Sequence, residues 1–168
     1  MAHKRPESVL VLVHTVRAEV LLLRRKSPSD FWQSVTGSLE WDETPVQAAR
    51  RELTEESGLP TDGLIDCEAN HLFTIYPMWR HRYAPGVTRN REHVFRVALP
   101  ERRDVVMDAS EHDQFVWLPR LEAAARATSH TNRDAILAWV PAADQGMREA
   151  VVLVHGIWMV GLEMLGLK

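Results

Sequence analysis

Five glutamates framed by two glycines are where this chain can do chemistry. Residues 37 to 59 read Gly-Ser-Leu-Glu-Trp-Asp-Glu-Thr-Pro-Val-Gln-Ala-Ala-Arg-Arg-Glu-Leu-Thr-Glu-Glu-Ser-Gly-Leu. Thr44 followed three places on by Gln47 reads as a capping box, and Pro45 suits the first helical position, where its missing N–H costs nothing. Gly58 supplies a C-terminal stop, so the segment predicts a helix over 45–57. At about 100° per residue, Val46, Ala49 and Leu53 form its apolar stripe. Glu52 and Glu56, four apart, stack beside that stripe, while Glu55 lies on the neighbouring side one turn from Arg51. Stacked carboxylates cost a few tenths of a kcal/mol in an isolated helix, and a divalent cation would offset the repulsion. Hard oxygen donors of this kind suit Mg²⁺, which keeps waters and shares substrate phosphates. The bland reading is a solvated acidic face relieved by Arg50 and Arg51.

Charge is unevenly placed along the 168 residues. Residues 40 to 56 hold six acids against two arginines, and residues 80 to 103 hold seven arginines against two glutamates. An acidic metal cradle beside a basic patch suits a cation-bound polyphosphate, with Arg82 or Arg89 as clamp; a basic surface hairpin without ligand is the plainer reading. A net charge of −3 argues against nonspecific nucleic-acid binding as the main function. Hydrophobic content of 45% and charged content of 26% fit one ordinary globular domain. Cys67 is the only cysteine, so no intramolecular disulfide forms and a reducing compartment, the cytoplasm, is expected. The opening apolar run is short and lacks a small-residue cleavage site, so it reads as a strand rather than a signal peptide.

The elements that must position these groups follow from pattern. Ser8–Val16 and Val20–Leu23 are aliphatic and β-branched, as strands are. Lys26–Asp30 is a loop, and Trp32–Thr36 a short strand running into Gly37. Ile65–Ile75, Val94–Leu99 and Phe115–Leu118 read as further strands, with a loop over Tyr76–Asn90. Leu121–Ala127 and Asp134–Val140 read as helices, the second capped by Thr131 or Asn132. Mixed strands and helices point to an α+β or α/β/α sandwich with a mixed sheet.

Nine positions of the glutamate segment fill the pattern G-x5-E-x7-R-E-U-x-E-E-x-G-U, with U a bulky aliphatic. This is the Nudix box, and the chain resembles the Nudix hydrolases, whose fold is the same α/β/α sandwich with a mixed sheet. Two flanking segments, Asp30-Phe-Trp-Gln-Ser-Val-Thr-Gly37 and Arg80-His-Arg-Tyr-Ala-Pro-Gly-Val-Thr-Arg-Asn90, are similar to those of the dihydroneopterin triphosphate diphosphatases of bacterial folate synthesis. The similarity runs from about Lys4 to Val140. It implies Mg²⁺-dependent hydrolysis of a phosphoanhydride bond, giving dihydroneopterin monophosphate and pyrophosphate. It implies metal ligands at Glu52, Glu56 and, in Ser110-Glu111-His112, Glu111. Glu55, Glu56 and Glu111 are the implied catalytic carboxylates, and His112 reads as structural. Substrate contacts carry over to Lys4, Arg24 (or Arg25, one register on), Thr36, Phe73, Thr74, Ile75, Tyr76 and Ser129. Phe31, Trp32, Tyr76 and Trp79 read as packing, with one or two placed to stack on a flat bicyclic head.

Beyond Val140 the similarity ends. The expected division is a catalytic unit over 1–141 and an apolar tail over 142–168. The Val-Val-Leu-Val-His-Gly run of that tail looks like the opening strand of an α/β-hydrolase, without the G-x-S-x-G elbow such an enzyme needs. It reads as a fusion remnant, a truncation or a junction, with self-association through its apolar strand expected and no membrane span. The expected partner is a small pterin or nucleoside triphosphate. A nucleoside triphosphate pyrophosphatase acting on dATP or oxidised nucleotides would share the box. A non-catalytic nucleotide-binding sensor would break its carboxylates, which are all present here.

Overall fold

The computed structural model describes residues 2–143; the apolar run of the tail lies outside them. Seven strands form one sheet: β1 (Glu7–Thr15), β2 (Glu19–Arg25), β3 (Trp32–Gln33), β4 (Val35–Ser38), β5 (Leu64–Thr74), β6 (Arg89–Leu99) and β7 (His112–Pro119). Three helices join them: α1 (Pro45–Ser57), α2 (Arg120–Arg126) and α3 (His130–Trp139).

β1 is buried along nearly its whole length because both its faces are covered, as a continuous aliphatic run requires. Val9, Val11 and Val13 meet Ala48, Ala49 and Leu53 of α1 in one core. Leu10 and Leu12 meet Ala123, Ala124, Ala135 and Ile136 of α2 and α3 in the other. The sheet is mixed: β1 runs parallel to β6, and every other pairing is antiparallel. β1 and β2 pair only at His14↔Val20. They then part, and the short segment 32–38 enters between them, β3 on β2 and β4 on β1. That wedge delivers Gly37 beside α1. Among the described residues no helix is long and apolar enough to cross a membrane.

The expected boundaries of α1 hold, since its signals are local: Thr44 and Gln47 close the capping box and Gly58 adopts φ 66°. The stripe differs at one place. Val46 is 38% exposed and Ala48 takes its place in the core. At about 100° per residue Val46 stands at one edge of the stripe, while Ala48, two positions on, lies on the side of Glu52, which faces the sheet. The cap of α3 also differs. Ser129, whose hydroxyl accepts from the Asn132 N–H at 3.2 Å, begins the helix, rather than Thr131 or Asn132, and Asn132 turns inward instead. The region 76–90 is not all loop, because Pro77–Arg82 forms a 3-10 helix held by Arg80 donating to the Ile75 carbonyl at 3.2 Å.

Thr44→Ala removes one half of the capping box and should cost about 1 kcal/mol, lowering Tm by roughly 2–4 °C in a chain of this size. An unchanged melting curve by circular dichroism would show that the helix start is held by packing alone.

Candidate active site

Arg51 organises the glutamate segment. Its guanidinium donates to both oxygens of Glu43 at 2.8 Å, to the Ser38 carbonyl at 3.0 Å and to Glu52 Oε1 at 2.7 Å. A fork of five donors can hold a loop, a strand end and a helix at once, where a lysine could not. The hydrogen bond from Arg51 in turn draws the Glu43 carboxyl below its ordinary range. Arg5 fixes the same loop from outside, donating to the carbonyls of Glu40 and Glu43 at 3.1 and 3.0 Å. Gly37 is required by space. A Cβ built there would lie 2.0 Å from Glu52 Oε1 and 2.1 Å from its Cδ, so the Glu52 carboxylate rests directly on the glycine.

Glu52 and Glu56 are 8% and 4% exposed. Burial pushes the Glu52 carboxyl up to about 7, against the opposing hydrogen bond and charge of Arg51. Burial, and then the charges of Glu52 and Glu111, hold Glu56 well above the usual carboxylate range. Ligand atoms of Glu56, Glu111 and His112 lie within 4.8 Å of one another. His112, expected to be structural, is thus part of this group. It is 1% exposed, and burial keeps its ring below the ordinary histidine value. One ring nitrogen sits 3.2 Å from the Gln33 amide nitrogen, and its Nδ1 has no partner among the described residues. Like charges forced together in low dielectric resist ionisation unless a cation joins them. The three glutamates, with hard oxygen donors, fit a divalent metal.

These glutamates open into a cleft of about 1200 Å³. Of the expected site residues, Lys4, Thr36, Glu52, Phe73, Thr74, Ile75, Tyr76, Arg82, Glu56, Glu111 and Ser129 line it. Two do not. Arg24 turns outward to Asp113 at 2.8 Å, and Arg25, its neighbour on the other face of β2, enters the cleft instead. Side chains alternate along a strand, so the one-residue register decides which arginine faces substrate. Glu55 is also outside the lining: its side chain is 55% exposed and bonded to Arg51 at 3.3 Å. The basic patch is likewise composed differently from expectation. Of the seven arginines in 80–103 only Arg82 lines the cleft; Arg91 reaches Asn70, and Arg102 pairs with Glu19. Beside Arg51, which is engaged with the glutamates, the site's cations come from three separate segments, as Lys4 with Arg5, Arg25 with Lys26, and Arg82. Lys4 and Arg82 are joined through their backbones at 2.8 Å.

Phe31, Tyr76 and Trp79 form an edge-to-face cluster on the cleft wall, with centroids 5.3 to 6.1 Å apart. The Arg25 guanidinium lies 5.1 Å from the Trp79 ring centre. Trp32 is packing, buried in the core beneath α2 and α3. Sequence reasoning missed Gln33, Asn90 and Glu92, all buried and all lining the cleft. The period-2 alternation of Asn90, Glu92 and Val94 was the available signal, hidden among the arginines.

Comparison with known proteins agrees with this geometry. The sequence is 47% identical over 139 residues to the dihydroneopterin triphosphate diphosphatase of Escherichia coli K12, covering 80% of this chain and 91% of that protein. It is 39% identical over 141 residues to the Haemophilus influenzae protein of the same name, covering 81% and 88%. The structure of the E. coli dihydroneopterin triphosphate pyrophosphohydrolase superposes with a TM-score of 0.78 at 46% identity, covering 83% of this chain and 98% of that one. The NUDIX domain model matches residues 4–140, and the chain belongs to the Nudix family.

Proposed function

We propose that this chain hydrolyses dihydroneopterin triphosphate to dihydroneopterin monophosphate and pyrophosphate. The observation that carries the reading is the meeting, in one cleft, of two buried glutamates and the exposed Glu111 with cations from separate chain segments. The relatives at 39% and 47% identity bear that activity in their names. Magnesium is the metal we assign, held by Glu52, Glu56 and Glu111. A bound dication supplies charge neutralisation at the phosphate oxygens and a more acidic water.

The chain's own groups do the rest. Arg25, Arg82 and Lys4 bind and align the phosphates, Arg25 and Arg82 by forked donation. Glu56 and Glu111 remain to accept the proton of the attacking water, a contribution typically worth about 10² to 10⁴ in rate. Glu55 is a poorer choice than the sequence implies, because it faces solvent and is held by Arg51. Among the described residues the lining falls between Ala2 and Asn132, and the family match ends at residue 140, which supports assigning the reaction to residues 1–141. A reducing cytoplasm suits the free Cys67.

Pyrophosphate release from dihydroneopterin triphosphate, measured against dATP, tests the reading. A preference for dATP would move the chain to the nucleotide pyrophosphatases. Arg25→Ala and Arg82→Ala should each raise KM for the triphosphate by about tenfold, the scale of one charged hydrogen bond. Arg24→Ala should change KM less than twofold. Equal effects at Arg24 and Arg25 would refute the register assigned here.

A further inference from the structure

Residues 3–5 lie ahead of β1, which begins at Glu7, so no strand ladder holds them. Two parts of the cleft lining hold them instead. From the loop before α1, the Trp41 indole N–H donates to the His3 carbonyl at 3.0 Å. The Arg5 guanidinium reaches the same loop, donating to the carbonyls of Glu40 and Glu43 at 3.1 and 3.0 Å. At the 3-10 helix, the Arg82 carbonyl accepts from Lys4 N at 2.8 Å. The segment is thus a strap between the loop and the 3-10 helix. His3, Lys4, Arg5, Trp41 and Arg82 all line the cleft.

Trp41 is 65% exposed, so core packing does not account for a tryptophan at this position. Its indole bonds to the strap. The Arg5 guanidinium is already occupied by the loop carbonyls and by Glu7 at 2.8 Å. The residue between these two fastenings is Lys4. Desolvation in the cleft wall, and then the charge of Arg82, draw its ammonium below the ordinary lysine range, while Glu111 and Glu52 pull the other way. That ammonium therefore stands within electrostatic reach of both Arg82 and the glutamates. A lysine is a point charge on a flexible stem, with no fork to set its own geometry, so its placement depends on where the backbone is pinned.

We infer that Trp41 and Arg5 are positioning residues for Lys4, holding the strap so that its ammonium meets the pyrophosphate portion of the substrate beside Arg82. The inference rests on the function proposed above and adds the residues that set one phosphate contact. Both act through the strap. Ordering Lys4 in advance spares substrate binding part of the entropic cost of fixing it.

The test is a double-mutant cycle on the full chain. Its first reading is the affinity for inorganic pyrophosphate with Mg²⁺, by calorimetry; its second is kcat and KM for dihydroneopterin triphosphate. Trp41→Phe keeps an aromatic ring and removes the donor. It should weaken pyrophosphate binding and raise KM about three- to tenfold, the scale of one hydrogen bond, with kcat within twofold. Arg5→Met, which frees the strap from two carbonyls, should do the same by about tenfold. Lys4→Met should weaken pyrophosphate binding about tenfold. In that background Trp41→Phe should change the affinity less than twofold, because the ammonium it positions is gone. Groups that act through one another couple in this way, whereas independent groups add. An unchanged affinity in Trp41→Phe, or an effect that persists undiminished without Lys4, overturns the inference. So does a loss of kcat at constant KM, which would place the action of Trp41 on the glutamate loop. If the pyrophosphate affinities couple as expected while dihydroneopterin triphosphate stays intact, the proposed function falls and the positioning role stands.

Discussion

Glu56→Gln is expected to lower kcat by at least about 100-fold, or roughly 2.7 kcal/mol of barrier, without loss of fold. Glutamine keeps the volume of the buried side chain, so the packing of α1 on the sheet is preserved. It removes a negative charge from the point where Glu56, Glu111 and His112 converge within 4.8 Å. On the function proposed above, a bound metal would lose an anionic ligand and the attacking water a proton acceptor. Without metal the same change should stabilise the protein or leave it unaltered, because burial and two neighbouring acids already oppose ionisation of Glu56. The distinguishing pair of measurements is kcat at saturating Mg²⁺ and Tm in chelator. Wild-type turnover in the variant would remove Glu56 from the site, and a collapsed Tm would make its role structural.

The second large effect is expected at a residue with no side chain. Gly37→Ala places a methyl 2.0 Å from Glu52 Oε1, and the carboxylate must leave. Its 2.7 Å bond from Arg51 goes with it, as does the arrangement that joins Glu43 to Glu52. Metal affinity and kcat/KM should each fall about 10- to 100-fold, the usual cost of disturbing the support of a metal ligand. Overpacking adds roughly 1–3 kcal/mol of destabilisation. Gly63→Ala is the control, since its added methyl meets only Val97 Cγ2 at 3.6 Å. Calorimetric titration with Mg²⁺ reads the affinity apart from turnover. Unaltered affinity in Gly37→Ala would mean that Glu52 is not a ligand.

What could be read from the sequence was what neighbours in sequence decide. The helix ends at Thr44 and Gly58 and the stacking of Glu52 on Glu56 depend on spacing alone. The misplacements arise where a partner distant in sequence chooses. Val46 and Ala48 are equally apolar by pattern, and only the sheet selects Ala48. Arg24 and Arg25 are indistinguishable until β7 brings Asp113 to one of them. Ser129 reads as a substrate contact rather than a cap because Thr131 and Asn132 are also good cap residues and stand nearer the apolar run. Asn90 reads as the end of a loop and Glu92 falls short of the expected strand, whereas β6 begins at Arg89; buried polar residues do not show the apolar alternation by which strands are recognised.

The wedge between β1 and β2 also sets an order of events during synthesis. Ser34 N donates to Asn132 Oδ1 at 2.7 Å, Asn132 Nδ2 donates to Ser34 Oγ at 2.9 Å, and Trp32 N donates to Thr128 Oγ1 at 2.9 Å. These bonds span 96 to 98 positions. At a translation speed of about 5–20 residues per second, residues 32–38 leave the ribosome roughly 5 to 20 seconds before the groups that fasten them. In that interval α1, with its local caps, has what it needs to form, while the strand carrying Gly37 has no lock on its far side. The glutamates are thus made early and aligned last, and a nascent chain ending before residue 128 would carry the whole glutamate segment without a working centre.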